Sequence, residues 1–161
     1  MEITYRPIGI IHTDFKTAEG VPIQGVFKPQ TTGRVEVYPE YAKGLWDIEG
    51  FSHLILVYHF HLSKGYNLTC KPFIEDIERG VFATRAPRRP NPIGISVVKL
   101  SERKENTLVI SEVDMIDKTP LLDLKPYVPQ FDTRADVSVG WMERHFKEGG
   151  IRTVSDGRFS G

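Results

Sequence analysis

FSHLILVYHFHL, residues 51 to 62, is almost continuous in hydrophobicity and rich in aromatic and β-branched side chains. A surface helix needs one polar face, which this run lacks, so it reads as a central strand buried on both faces. Toward the N-terminus, PEYAKGLWDIEG (39 to 50) predicts a short helix, with proline at its first position and Gly50 as its stop. Before it, Thr31 to Tyr38 alternates Val35 and Val37 with Arg34 and Glu36, as a half-buried strand does. Gly20 to Gln30 reads as a loop. Tyr5 to Thr13 (YRPIGIIHT) reads as a strand whose Pro7 marks an edge or a start.

On the other side, a polar excursion from Leu62 to Asp76 precedes GVFATRAP and PIGISVVKL, predicted as two strands broken by the proline-rich turn Pro87 to Pro92. Thr107 to Ile116 is a further strand whose alternation slips near Glu112, the mark of a bulge. Leu121 to Leu124 is another, leading into KPYVP. VGWMERHFK (139 to 147) predicts a second helix, and the polar tail after Gly149 has few residues to anchor it.

Short strands separated by turn signals, with two helices, imply a mainly β, largely antiparallel fold, either a barrel or a sandwich. Strand and helix do not alternate, and no Gly-x-Gly occurs, so the chain is not of the Rossmann class. The expected organisation is one domain over residues 1 to 149 and a polar tail over 150 to 161.

The chain has 161 residues with 21 basic and 21 acidic side chains, which is globular composition with enough length for a core. No apolar run approaches the ~20 residues of a spanning helix, the N-terminus lacks a signal-peptide pattern, and Cys70 stands alone. No membrane association and a cytoplasmic location are expected. The neutral total conceals a segment, residues 79 to 99, with five bases and no acid, followed by an acid-rich one, 101 to 123. A local patch of this kind steers a polyanion to one place without coating the surface.

Three groups of residues carry possible chemistry. His59 and His61, two apart in a strand, face the same way and could share a metal with a third ligand from Glu75, Asp76 or His53; the blander account is a core niche and a pocket wall. In Gly80 to Ser96, Pro87, Pro90 and Pro92 stiffen a segment displaying Arg85, Arg88, Arg89 and Asn91, which preorganises guanidiniums for carboxylates or phosphates. In Asp114 to Pro129, period two puts Asp123, Lys125 and Tyr127 on one face, as a site or as a structural ion pair with an aromatic lid.

FATRAPRRPNPIGIS and DKTPLLDLKPYVP, preceded by EGVPIQG and GFSHLILVYHFH, together resemble the TrmO (TsaA-like) family of tRNA adenine-N6 methyltransferases. The resemblance runs from Pro7 to about Asp132. It implies a small β-barrel S-adenosyl-L-methionine enzyme, working as a homodimer, that methylates N6 of threonylcarbamoyladenosine at position 37 in the tRNA anticodon loop. It places Pro22, Ile23, Gln24, His61, Ser63, Lys64, Arg85, Ile95, Val113 and Asp114 at cofactor-lining positions. Asp123, Lys125 and Tyr127 match its second signature, which implies a role near the substrate. Ile23 stands where arginine is usual and Lys118 where glycine precedes ThrPro.

A methyl sulfonium is already activated, so this chemistry requires alignment rather than a metal. Acceptors on the adenine amine, from Asp123 or Asn91, would free its lone pair. Arg85 suits the cofactor carboxylate, Arg88 and Arg89 suit RNA phosphates or the threonylcarbamoyl carboxylate, and Tyr127 suits stacking. Two alternatives remain at this point: a cofactor-sensing or RNA-binding module without turnover, and a metal-dependent barrel using His59 and His61.

Overall fold

The computed structural model describes residues 1–159. Six strands close into an antiparallel barrel: β1 (Gly9–Thr13), β2 (Thr32–Val37), β3 (His53–His59), β6 (Ile93–Lys104), β7 (Thr107–Ser111) and β8 (Thr119–Pro126). The order around the barrel is β1-β2-β7-β6-β3-β8, with β8 returning to β1. A two-stranded ribbon, β4 (Thr69–Cys70) with β5 (Arg79–Gly80), stands apart. Closure satisfies the edge groups that an open six-stranded sheet would leave unpaired.

Period two fills the interior. Ile11, Val35, Leu54, Leu56, Val98, Leu108, Ile110 and Leu121 are fully buried and pack together there. β3 alternates rather than burying both faces: Leu54, Leu56 and Tyr58 point inward, while Ile55 and Val57 lie half-buried outside. Its central position holds, between β6 and β8.

One irregularity matters for function. Tyr58 pairs with Leu121 and Val57 with Asp123, so Leu122 is an extra residue on β8. The bulge reverses the phase of β8: Leu121 and Leu124 both pack on the core, and Asp123 and Lys125 are turned to the outer surface opposite Val57 and Ile55. The disruption expected near Glu112 is instead a left-handed residue, φ 64°, that ends β7.

Several expected elements differ. Residues 39 to 50 form two 3-10 turns, Pro39–Leu45 and Ile48–Gly50, separated by Asp47 at φ 65°; the run is too short to propagate a helix. GVFATRAP is not a strand. After β5, Val81–Ala83 is a 3-10 turn closed by the Thr84 hydroxyl donating to the Val81 carbonyl at 2.9 Å. The predicted helix at 139 to 147 splits into a 3-10 turn, Gly140–Met142, and α2 (Glu143–Glu148), which follows α1 (Pro129–Asp132). β1 begins at Gly9, beyond Pro7.

Of the expected tail, residues 160 and 161 lie outside the described residues, and the described part is anchored through 153–155. The Ile23 amide donates to the Thr153 carbonyl (2.9 Å) and the Ser155 amide to the Val21 carbonyl (2.8 Å), around an antiparallel bridge between Pro22 and Val154.

Candidate functional site

A cavity of about 260 Å³ opens beside the barrel, between strand ends and the loops that precede β2 and β6. Its walls come from distant parts of the chain. Pro22, Ile23 and Gln24 form one side, Tyr58, Phe60, His61 and Ser63 another, Thr84, Arg85, Arg89, Ile93 and Ile95 a third, and Asp114 and Thr119 the floor near the barrel.

Asp114 is a strongly perturbed carboxylate there. Burial pushes its carboxyl up to about 6, partly offset by the Ser96 hydroxyl, the Gly25 amide and the Arg85 charge. The Ser96 hydroxyl donates to one oxygen and the Gly25 amide to the other at 2.9 Å. Tyr58 continues the chain through Ser96, its hydroxyl 3.0 Å from Ser96 Oγ, and burial raises its pKa first, with the Asp114 charge adding to the effect. Gly25 is obligatory, because a Cβ would lie 1.7 Å from the Glu112 carbonyl oxygen. The close approach of backbone 25 to backbone 112 brings the Pro22–Gln24 turn onto Asp114. Gly94 is the second close approach, where a Cβ would meet the Tyr58 ring at 2.3 Å.

Arg85 reaches over to Gln24 and donates to its side-chain oxygen at 2.8 Å, joining two blocks that lie 61 residues apart. Arg89 braces its own turn by donating to the Thr84 and Ala86 carbonyls. The Thr119 hydroxyl donates to the Ile116 carbonyl at 2.7 Å and so accepts from His61 Nδ1, 3.4 Å away. Burial, then the nearby His59, lowers the His61 pKa and so favours the neutral ring.

Pro22, Ile23, Gln24, His61, Ser63, Arg85, Arg89, Ile95 and Asp114 thus meet in one cavity. Others do not reach it. Val113 is fully buried in the barrel core, Lys64 is exposed, and Asn91 is exposed in the proline turn. Arg88 borders a separate polar groove with Asn67, Thr69 and Lys71. Asp123 and Lys125 form an ion pair at 2.6 Å on the outer barrel wall, and Tyr127 sits beyond β8 with its ring edge against His53. In one protomer, the Asp123, Lys125 and Tyr127 ledge does not share a cavity with Arg85.

The histidine pair is also separated from its expected geometry, since β3 ends at His59 and His61 lies in the turn after it. Among the described residues, no three His, Cys, Asp or Glu side chains gather as metal ligands, and no helix is long and apolar enough to cross a membrane. Tyr58, Ser96, Phe73, Ser155 and Phe159 are wall or relay residues that sequence patterning leaves unmarked. For Tyr58 and Ser96 the only available signal is an inward polar atom in a strand of apolar neighbours.

Residues 10–133 match the model of the tRNA-methyltransferase O N-terminal domain. The chain belongs to the TrmO family. It is 56% identical over 98% of its length to a probable S-adenosyl-L-methionine-binding protein of Pyrococcus abyssi, of which it covers 85%. It is 34% identical over 83% of its length to the tRNA (adenine(37)-N6)-methyltransferase of Mus musculus, covering 33% of that enzyme. A crystal structure of TrmO from Pseudomonas aeruginosa superposes over 88% of this chain and 63% of that one, with TM-score 0.75 and 36% identity. The chain therefore spans most of its archaeal relative, about three fifths of the bacterial protein and a third of the mammalian enzyme. The TrmO likeness also agrees with the mainly β, closed-barrel architecture.

Proposed function

We propose that this protein is an S-adenosyl-L-methionine-dependent methyltransferase acting on N6 of threonylcarbamoyladenosine at position 37 of tRNA, in the anticodon loop, and that it works as a homodimer in the cytoplasm. The observation that carries the reading is the cavity itself. Pro22, Gln24, His61, Arg85, Ile95 and Asp114, drawn from five separate segments, converge there around a buried carboxylate. The donor set suits a zwitterionic nucleoside: Arg85 for a carboxylate, Gln24 for amide or hydroxyl contacts, and Asp114 for hydroxyls or positive charge.

The cofactor, when bound, would supply an activated methyl group, with the acceptor nitrogen giving up its N–H proton and the sulfur leaving as a neutral thioether. The protein's part is to align that nitrogen and keep water out. Arg85, tethered to Gln24, would hold the cofactor carboxylate. Arg88, at the neighbouring groove, and Arg89, at the cavity wall, are assigned to the RNA, and a loop base is turned out of its stack at modest cost.

The ledge of Asp123, Lys125 and Tyr127 supports the dimer half of the proposal. Outward residues of β3 and β6 form an apolar strip: Ile55, Val57, Ile93, Ile95 and Val97, with Ile95 50% and Val97 40% exposed. Asp123 and Lys125 border this strip directly, and Ile93 and Ile95 also line the cavity. A second copy seated on the strip covers it and brings its own Asp123 ledge toward this cavity, where acceptors on the adenine amine are needed.

The test is transfer from labelled S-adenosyl-L-methionine to tRNA carrying the threonylcarbamoyl group, read by nucleoside mass spectrometry. Equal activity on tRNA lacking that group would remove the substrate assignment. Asp123→Ala and Arg85→Ala are each expected to lose transfer, and mixing the two restores part of it if the site is shared between copies. One observation favours a second reading: a lone protomer holds the cavity without the ledge. A chain that stays monomeric, binds the cofactor in calorimetry and turns over no modified tRNA would be a binding module.

A further inference from the structure

The family match stops at residue 133, yet the cavity wall includes Ser155 and Phe159. The segment that carries them is tied down along its length. The Ser155 amide donates to the Val21 carbonyl, the Ser155 carbonyl accepts from the Gly20 amide at 3.2 Å, and the Ser155 hydroxyl donates to the Ala18 carbonyl. Arg158 pairs with Asp156 and donates to the carbonyls of Pro72 (2.6 Å) and Glu75 (3.2 Å). These bonds hold Phe159 edge-on to Phe73, ring centroids 4.9 Å apart and planes at 83°. The Arg158 guanidinium lies 5.7 Å from the Phe73 ring centre.

Phe73 and Phe159 both border the cavity, as do Ala18 and Val21, to whose carbonyls Ser155 of the same segment is bonded. The polar groups Gln24, His61, Arg85 and Asp114 belong to the rest of it. A rigid aromatic corner is matched to a flat heteroaromatic ring, whose faces seek aromatic contact. We infer that the Phe73–Phe159 corner receives a purine base, and that residues 153–159 form a strap which completes the nucleoside pocket. The strap is bonded to the same Val21–Ile23 turn that lines the cavity, so a base in the corner and the strap stabilise one another. This rests on the cofactor reading above. Two bases present the required chemistry, the adenine of the cofactor and the target adenine of tRNA.

The experiment separates them. Calorimetry with S-adenosyl-L-methionine alone is compared for the unaltered protein, Phe159→Ala, Phe159→Leu, Phe159→Trp and Ser155→Pro, each checked by thermal melting for a folded barrel. If the cofactor's adenine occupies the corner, Phe159→Ala weakens binding by about ten- to a hundredfold. Phe159→Leu, which keeps apolar bulk without a π face, weakens it several-fold, and Phe159→Trp restores it. Ser155→Pro removes the amide that donates to Val21 and raises the cofactor's release rate. If cofactor binding is unchanged but KM for threonylcarbamoylated tRNA rises by the same factor, the corner holds the target base. Folded Phe159→Ala and Phe159→Leu that change neither quantity overturn the inference alone. An unmodified protein that binds no S-adenosyl-L-methionine overturns the cofactor reading and this inference together.

Discussion

Asp114 shows how one residue's environment sets its chemistry. Its folded-state pKa of about 6 lies above the ordinary 3.8 because burial penalises the carboxylate. As pH falls, the folded protein takes up this proton before the unfolded chain does. The group therefore favours folding fully below about pH 4, and that contribution is lost as pH rises through 6. Asp114→Asn keeps the shape and does not titrate. Urea unfolding is expected to show the unaltered protein losing on the order of 2 to 3 kcal/mol relative to the variant between pH 4 and pH 7; parallel profiles would refute this. A second residue-level prediction concerns Lys118, which precedes ThrPro and sits at φ 62°. A left-handed lysine costs about 1 kcal/mol that glycine avoids, so Lys118→Gly is expected to raise stability by roughly 0.5 kcal/mol after its own entropy cost, measured as a higher urea midpoint at constant m.

Among the elements, α2 depends on a single carboxylate from outside it. Glu75, its side chain 4% exposed, accepts from Arg79 Nε at 2.6 Å and also pairs with Arg144 and His145 of α2. Its hydrogen bond with Arg79 is the largest cause holding its pKa near 2. The sign is opposite to that of Asp114: stability from Glu75 is present above pH 4.5 and is lost as pH falls toward 2. Glu75→Gln leaves Arg79 and Arg144 without their anion, and a loss of about 3 kcal/mol at pH 7 is expected. The gap to the unaltered protein closes near pH 2. Hydrogen exchange should show amides 143 to 148 losing protection first, and uniform loss across the barrel would show that Glu75 does not act through α2.

At the scale of the whole molecule, the barrel leaves an apolar strip where a free protomer should have a polar wall. Val97 lies in that strip and outside the cavity. Val97→Glu is expected to convert a dimer to a monomer by light scattering with little change in melting temperature, since the residue is 40% exposed and outward. Cofactor affinity should stay within about threefold while methyl transfer falls by at least tenfold. Transfer that survives in a proven monomer would return the whole site to one protomer and leave the Asp123 ledge without a catalytic part.

Strand identity in β1, β2, β3, β6, β7 and β8 came from local pattern, because alternation and β-branching act over a few residues. The prolines around Arg85 to Pro92 and the DLKPY run were also legible as unusual, and so was the pairing of Asp123 with Lys125 on one face. Which face that is depended on Leu122, an extra residue visible only when Tyr58 and Val57 are paired across to β8. The turns at 39 to 50 and 81 to 83, the burial of Val113 and the anchoring of 153–159 to Val21–Ile23 likewise arise between residues far apart in the chain. Side-chain periodicity assigns residues to faces and hence to a barrel wall. Only closure and register decide which walls adjoin, and so whether two reactive groups open into one cavity or lie back to back.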